Sequence, residues 1–317
     1  MYPLKLDAPI KDYLWGGTRL KTEYGFKTDK EKAAEAWVLS CHKDGESIVL
    51  NGEMKGKKLS EVLNIWGNDA LGVNAARFPY FPLLIKLIDA KDKLSVQVHP
   101  DDDYALKNEG EFGKTEAWYV VDCNEGASLI YGFKKEISKE EFRRRIEDNT
   151  LLEVCNIVPV KKGDLFFIPS GTLHAIGEGI LIAEVQQNSN TTYRVSDYGR
   201  LGADGKPREL HIEKAVDVTE TIPPKMPYGK TGEIIKENFG ERRLLASCEF
   251  FKMETLSLNG KTEIFREDSF VSLVILSGEG KLLGGEEIPF KKGDSFFIPA
   301  KEKVLIEGTA EILVSRV

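Results

Sequence analysis

Residues 161–176 read KKGDLFFIPSGTLHAI, and 130 residues further on residues 291–306 read KKGDSFFIPAKEKVLI. Eight of the first nine positions are identical. A Gly-Asp turn leading into aromatic and β-branched residues and ending at proline is a strand bounded by turns. A chain that repeats it far apart must build similar β units twice. At 317 residues the chain also exceeds the roughly 250–300 residues at which single cores stop growing. Two domains are the expectation. The copies diverge at the turn that follows, where SGTLH, with Gly171 and His174, becomes AKEKV, with Lys301 and Val304.

The rest of the chain has the same texture. EAWVLSC, LSVQVHP, EAWYVVDC, GILIAEVQQ and TTYRVSD are β-branched or aromatic runs separated by Gly, Asn or Asp. This predicts an all-β sandwich or barrel rather than alternating βαβ units. Helices are few. KKLSEVLNIWG places Val62, Ile65 and Trp66 at helical spacing, and HIEKAVDVTE suggests another short helix. ISKEEFRRRIEDNT carries a capping box at Ser138 and Glu141, with Phe142 and Ile146 on one face. TIPPKMPYGKTGE, rich in proline and glycine, is the best linker. It predicts a larger domain over residues 1–228, with short helical insertions, and a smaller all-β unit over residues 229–317.

The formal net charge is −7, and no basic block is long enough for a nucleic-acid arm. No nucleic-acid partner is expected. An acidic chain also repels phosphorylated metabolites at long range, so a phosphate site must be built locally from a few placed cations. The N-terminal stretch lacks the apolar segment of an export signal, and no apolar run approaches the ~20 residues of a membrane span. A cytoplasmic protein without a membrane partner is expected, as a monomer or weak dimer. Cys41, Cys123, Cys155 and Cys248 form no CxxC pair, which points to reduced structural thiols.

Three stretches carry candidate chemistry. In LSVQVHPDD, alternation puts Leu94, Val96 and Val98 on one strand face and Ser95, Gln97 and His99 on the other. If that strand lines a barrel, Gln97 and His99 enter the interior two residues apart, as neighbouring metal ligands would. GKTEAWYVVD places Glu116 at a strand start and Lys114 two residues earlier. GDLFFIPSGTLHA has Gly163, Pro169, Gly171 and His174 at the spacing G-x5-P-x-G-x2-H.

That spacing resembles the second motif of the cupin superfamily, with Gln97 standing where the first motif usually has a histidine. QVHPDD, GKTEAW, PSGTLHA, LIAEVQQNSNTTYR and LIKLID, together with YLWGG near the start, resemble the type I phosphomannose isomerase family in its short bacterial form. The resemblance implies two cupin-type jelly-roll barrels, mainly β with a few short helices. It implies an enzyme interconverting mannose 6-phosphate and fructose 6-phosphate, and Gln97, His99, Glu116 and His174 as ligands of one divalent metal per chain. Two imidazoles, a carboxylate and an amide oxygen form an N/O site without thiolate. Such a site suits zinc, the expected ion, and also other divalent first-row ions.

The same resemblance assigns Arg194 and Glu184 to the active site. On pattern alone they read equally well as a structural ion pair. Aldose–ketose isomerisation needs stabilisation of a cis-enediolate, a base reaching the C1 and C2 protons, and a cation holding the far phosphate. Arg194 is expected to serve the enediolate or the substrate's anionic parts. Glu184, Lys114 and metal-bound water are the alternatives for proton transfer. Ser95 shares the ligand face, and the resemblance adds Lys86 and Arg200 as phosphate-binding residues. His42 and His211 match no ligand spacing and are expected to be structural. The C-terminal unit has no histidine and is expected to be metal-free. Two other readings stay open on the sequence: a metal-dependent cupin oxidoreductase or decarboxylase, and a non-catalytic sugar-phosphate-binding cupin.

Overall fold

The structure, a computed structural model, describes residues 1–202, 205–230 and 232–317. The strands form two β units that meet in a shared core. The first is built from two sheets. One runs Leu165–Ile168, Glu116–Cys123, Ile180–Gln187, Leu83–Ala90, Glu35–Leu39, Ile10–Lys11. The other runs Cys155–Pro159, Ser128–Phe133, His174–Ala175, Val96–Val98, Tyr193–Ser196. Between them lies a core that includes Trp118, Val120, Ile182, Tyr131 and Phe166.

Leu83–Ala90 and Ile180–Gln187 are buried along all eight residues. Strands covered on both faces read as nearly continuous apolar runs, so a charged residue inside one must find a partner. Lys86 and Glu184 are such a pair, directly opposite each other in the ladder, and Asp89 accepts the Arg19 N–H at 2.8 Å.

The second unit is a large twisted sheet running Ile234–Glu237, Gly240–Ser247, Lys252–Ile264, Val304–Arg316, Val271–Gly284, Ser295–Ile298. It does not end with C-terminal residues. Leu4–Asp7 pairs antiparallel with Ser295–Ile298, Leu6 facing Ser295, and Ile48–Val49 continues beyond it. Two strands from the start of the chain therefore extend the sheet that the sequence assigns to residues 229–317.

The repeated FFIP explains how the units join. In each copy the first phenylalanine enters its own unit: Phe166 packs in the first core and Phe296 in the second. The next residue faces the other way, as alternation requires. Phe297 is buried in a shared core with Val38, Ile85, Val185, Phe251 and Phe270, and Phe167 packs against its edge.

The predicted helices form at Leu59–Trp66, Lys139–Glu147 and Ile212–Val218. Only half of the predicted capping box is made. Ser138 Oγ accepts the Glu141 N–H at 3.1 Å, while the Glu141 carboxylate pairs with Arg145 one turn on. Among the described residues no helix is long and apolar enough to cross a membrane.

Candidate active site and metal centre

Strand pairing brings the four predicted ligands together. His174 lies opposite Gln97, and Glu116 opens its strand opposite Ile168, the last strand residue before the turn. Gly171 shapes that turn with φ of +83°, and an added Cβ would sit 3.0 Å from the Val218 carbonyl. The Gly171 N–H donates to the His99 carbonyl at 2.8 Å, so the turn that delivers one histidine is tied to the other.

The imidazoles are oriented for ligation. His99 Nδ1 lies 3.0 Å from the Thr191 carbonyl, and His174 Nδ1 lies 2.8 Å from that of Thr172. A carbonyl can only accept, so each Nδ1 carries the proton and each Nε2 a lone pair. The two Nε2 atoms are 3.1 Å apart. Glu116 approaches them at 3.4 Å from His174 and 3.6 Å from His99. The Gln97 amide lies 3.4 Å from His174 Nε2, and a half-turn of that amide presents Oε1 instead.

Burial depresses the pKa of His174 to about 3 and drives that of His99 well below its usual value, with Lys114 adding to the latter. Burial also raises Glu116, with the Glu184 charge adding to the effect. Both Glu116 oxygens are buried without a hydrogen bond. Lys114 Nζ is 3.0 Å from Oε2, close enough for ion pairing but outside hydrogen-bond geometry. Unpaired imidazole lone pairs and a carboxylate that accepts no hydrogen bond, converging in a buried place, would be costly by themselves. The donor set fits a divalent cation, and His99, Glu116 and His174 have ligand atoms within 4.8 Å of one another.

Beside the ligands lies a cavity of about 300 Å³ that Ser95, Lys86, Lys114, Glu184 and Arg194 line, and that Gln97 alone of the four ligands reaches. Lys114 is buried rather than solvent-facing. Glu184 sits between Lys86 and Trp118 in the ladder. Its Oε1 is 3.0 Å from Lys86 Nζ, and its Oε2 accepts the Trp118 indole N–H at 2.8 Å. Burial pushes the carboxyl up, but Lys86 and Lys114 outweigh it and hold Glu184 ionised, below the usual range. Lys86 is the converse case, raised by Glu184 and Glu35 against its own burial.

Arg200 is placed elsewhere. It does not line the cavity; Nη2 pairs with Asp197 Oδ1 at 2.6 Å and Nη1 donates to the Lys93 carbonyl at 2.6 Å. Sequence reasoning also passed over Arg208 and Asn190, which line the cavity from loop positions that alternation does not reach, whereas Thr192, on the face that alternation gives Arg194, lines it as well. Glu35, Tyr13 and Trp15 line it too, the aromatics coming from the YLWGG stretch. His42 and His211 are structural, as expected. His42 Nε2 meets Glu111 at 3.1 Å, and His211 Nδ1 accepts the Arg194 N–H at 3.1 Å.

Known proteins resemble this chain along its length. A family model described as phosphomannose isomerase type I, catalytic domain, matches residues 3–126, and one described as mannose-6-phosphate isomerase, cupin domain, matches residues 241–317. The mannose-6-phosphate isomerase ManA of Bacillus subtilis is 40% identical, covering 99% of this chain and 98% of its own length. A mannose-6-phosphate isomerase of Streptococcus mutans is also 40% identical, with the same coverage. The crystal structure of the mannose 6-phosphate isomerase from Bacillus subtilis superposes with a TM-score of 0.92 at 37% identity, covering 100% of both chains. A mutant phosphomannose isomerase from Salmonella typhimurium shares the fold, with a TM-score of 0.79 at 18% identity over 99% of each chain.

Proposed function

The chain belongs to the type I phosphomannose isomerase family, and from that premise we propose that it interconverts mannose 6-phosphate and fructose 6-phosphate at the cavity that Gln97 joins to His99, Glu116 and His174. The observation that carries this reading is the adjacency of two groups of residues. Buried N and O donors cluster together, and beside them a cavity that Gln97 reaches is lined by a carboxylate, two ammoniums and a guanidinium.

Gln97, His99, Glu116 and His174 would hold one divalent ion, zinc by the chemistry of the donor set. Bound there, it supplies Lewis-acid polarisation of the sugar's carbonyl oxygen, which acidifies the neighbouring C–H. The protein's residues do the rest. Glu184 is the carboxylate that takes the proton between C1 and C2 and returns it. It is a weak base in the empty cavity because Lys86 and Lys114 stabilise its charge, so it acts only on a carbon already acidified. Lys114 donates to substrate oxygen from beside Glu116, Arg194 stabilises negative charge on the enediolate or phosphate, and Ser95 and Lys86 offer further contacts to substrate oxygens. Arg200, turned toward Asp197, serves the site indirectly.

Residues 1–228 carry the chemistry, and residues 229–317 form a metal-free unit that supports it through the shared core. The cytoplasm is the compartment that suits a hexose phosphate substrate and four free thiols. The test is to incubate metal-free protein with mannose 6-phosphate, with and without zinc, and to follow fructose 6-phosphate. Zinc-dependent product is expected. Absence of product with every divalent first-row ion refutes the reading, and oxygen consumption would point to an oxidoreductase instead.

A further inference from the structure

One wall of the cavity holds two arginines. Arg194 comes from the strand Tyr193–Ser196 and Arg208 from the segment after it, and both line the cavity. His211 fastens the two together. Its N–H donates to the Arg194 carbonyl at 2.8 Å, and its Nδ1 accepts the Arg194 N–H at 3.1 Å. Arg194 Nη1 then donates to the carbonyl of Glu209, the chain neighbour of Arg208, at 3.0 Å. From the other side Asp197 grips Arg208 through two contacts, Nε to Oδ2 at 2.7 Å and Nη2 to Oδ1. Asp197 is buried and is itself braced by Arg200. A guanidinium held through two of its nitrogens has a fixed plane, which is the preorganisation that phosphate recognition uses.

The charges indicate what this wall is for. Lys86 and Lys114 each have a carboxylate at 3.0 Å, Glu184 and Glu116 respectively. Arg194 has no carboxylate within ion-pair distance among the described residues, and its Nε is buried without a hydrogen bond. Arg208 has only a share of Asp197, which Arg200 also takes. Burial and the Arg208 charge both disfavour the Arg194 cation. Two under-neutralised guanidiniums facing one cavity repel each other, and an anion placed between them converts that repulsion into attraction. The overall acidic chain makes such a local concentration of positive charge necessary for any phosphate.

We propose that Arg208, held in position by Asp197, forms with Arg194 the clamp for the substrate's phosphate. The assignment rests on the hexose phosphate reading above. It makes Arg208 a substrate-binding residue, and Asp197, with Arg200 behind it, a positioning residue. The role expected of Arg200 thus becomes structural, one residue removed from the anion.

The test uses the full-length, metal-loaded protein and two readouts. The first is calorimetric binding of the polyol made by reducing mannose 6-phosphate, which carries the phosphate but cannot isomerise. The second is steady-state turnover of mannose 6-phosphate. Losing a charge-assisted contact to phosphate in Arg208→Met should weaken polyol phosphate binding about ten- to a hundredfold and raise KM by a similar factor. The change in kcat should stay within about threefold, the pattern of lost uniform binding, and metal content should not change. Arg208→Lys should recover part of the affinity, and Asp197→Asn should weaken binding in the same direction by a smaller factor. Unchanged affinity in Arg208→Met, or a fall in kcat with affinity intact, overturns the proposal. If wild-type protein fails to isomerise mannose 6-phosphate, the functional reading falls, while the binding measurement still decides the role of Arg208.

Discussion

The two copies of KKGDxFFIP fold alike down to individual hydrogen bonds. Asp164 accepts the Lys161 N–H at 2.8 Å and Asp294 accepts that of Lys291 at 2.9 Å. The strands that follow are Leu165–Ile168 and Ser295–Ile298. Gly171 N–H donates to His99 O at 2.8 Å, and Lys301 N–H donates to Arg266 O at 2.7 Å. Both turns hold a left-handed residue there, Gly171 at φ +83° and Lys301 at φ +64°. Ladder positions then identify what replaced three of the four donors, while Arg266 stands where the first copy has His99. Val304 stands for His174, and Ile264, opposite Val304, stands for Gln97. Val271, opposite Ile298, stands for Glu116. All three replacements are buried in the second core. Backbone geometry is therefore common property of the two units, and side-chain chemistry alone separates a polar centre from an apolar core.

The largest way to break the comparison is His174→Ala, which makes the first copy resemble the second at one position. It should lose the metal and nearly all turnover, with circular dichroism unchanged. Full metal occupancy by elemental analysis would contradict the ligand assignment. Arg194→Ala asks about an element that only the first copy has, since Arg194 lies opposite Gln97 while Ile264 has no such strand on its other side. A fall in kcat/KM on the order of 10² or more is expected, with metal retained; near-normal kinetics would make it a structural residue.

The converse substitution is Val304→His. One imidazole among Ile264, Val271 and Ile306 has no partner, so it should bind no metal and cost about 2–4 kcal/mol through overpacking and polar burial. Denaturant titration reads the cost, and a second bound metal would show that the replacements matter less than argued. The smallest effect belongs to Lys301→Gly. A lysine at positive φ carries strain that glycine removes, partly offset by the greater freedom of the unfolded chain. A gain of about 0.5–1 kcal/mol is expected, and a loss would show that Lys301 makes contacts that outweigh its backbone strain.

How far the sequence carries depends on the kind of information each feature needs. Alternation along LSVQVHP placed Ser95, Gln97 and His99 on one face because a strand's period is local. The cavity residue Arg208 has no such signal: it reaches the site from a loop, where the Asp197 carboxylate holds it. Arg200 shows the same gap in reverse. The family resemblance offers it to the phosphate, yet it pairs with Asp197. The capping box at Ser138 was half legible because the Glu141 side chain had a second option in Arg145. The pairing of Leu4–Asp7 with Ser295–Ile298 joins residues at opposite ends of the chain, and no local pattern records which sheet a strand will join.

The most direct test of the central claim, that one copy holds the ion and the other has turned the same framework into core, is a metal titration of the stripped full-length protein. Zinc binding followed by calorimetry should give one tight site per chain in the wild type and none in His174→Ala. Two tight sites in the wild type, or one surviving in His174→Ala, would contradict it.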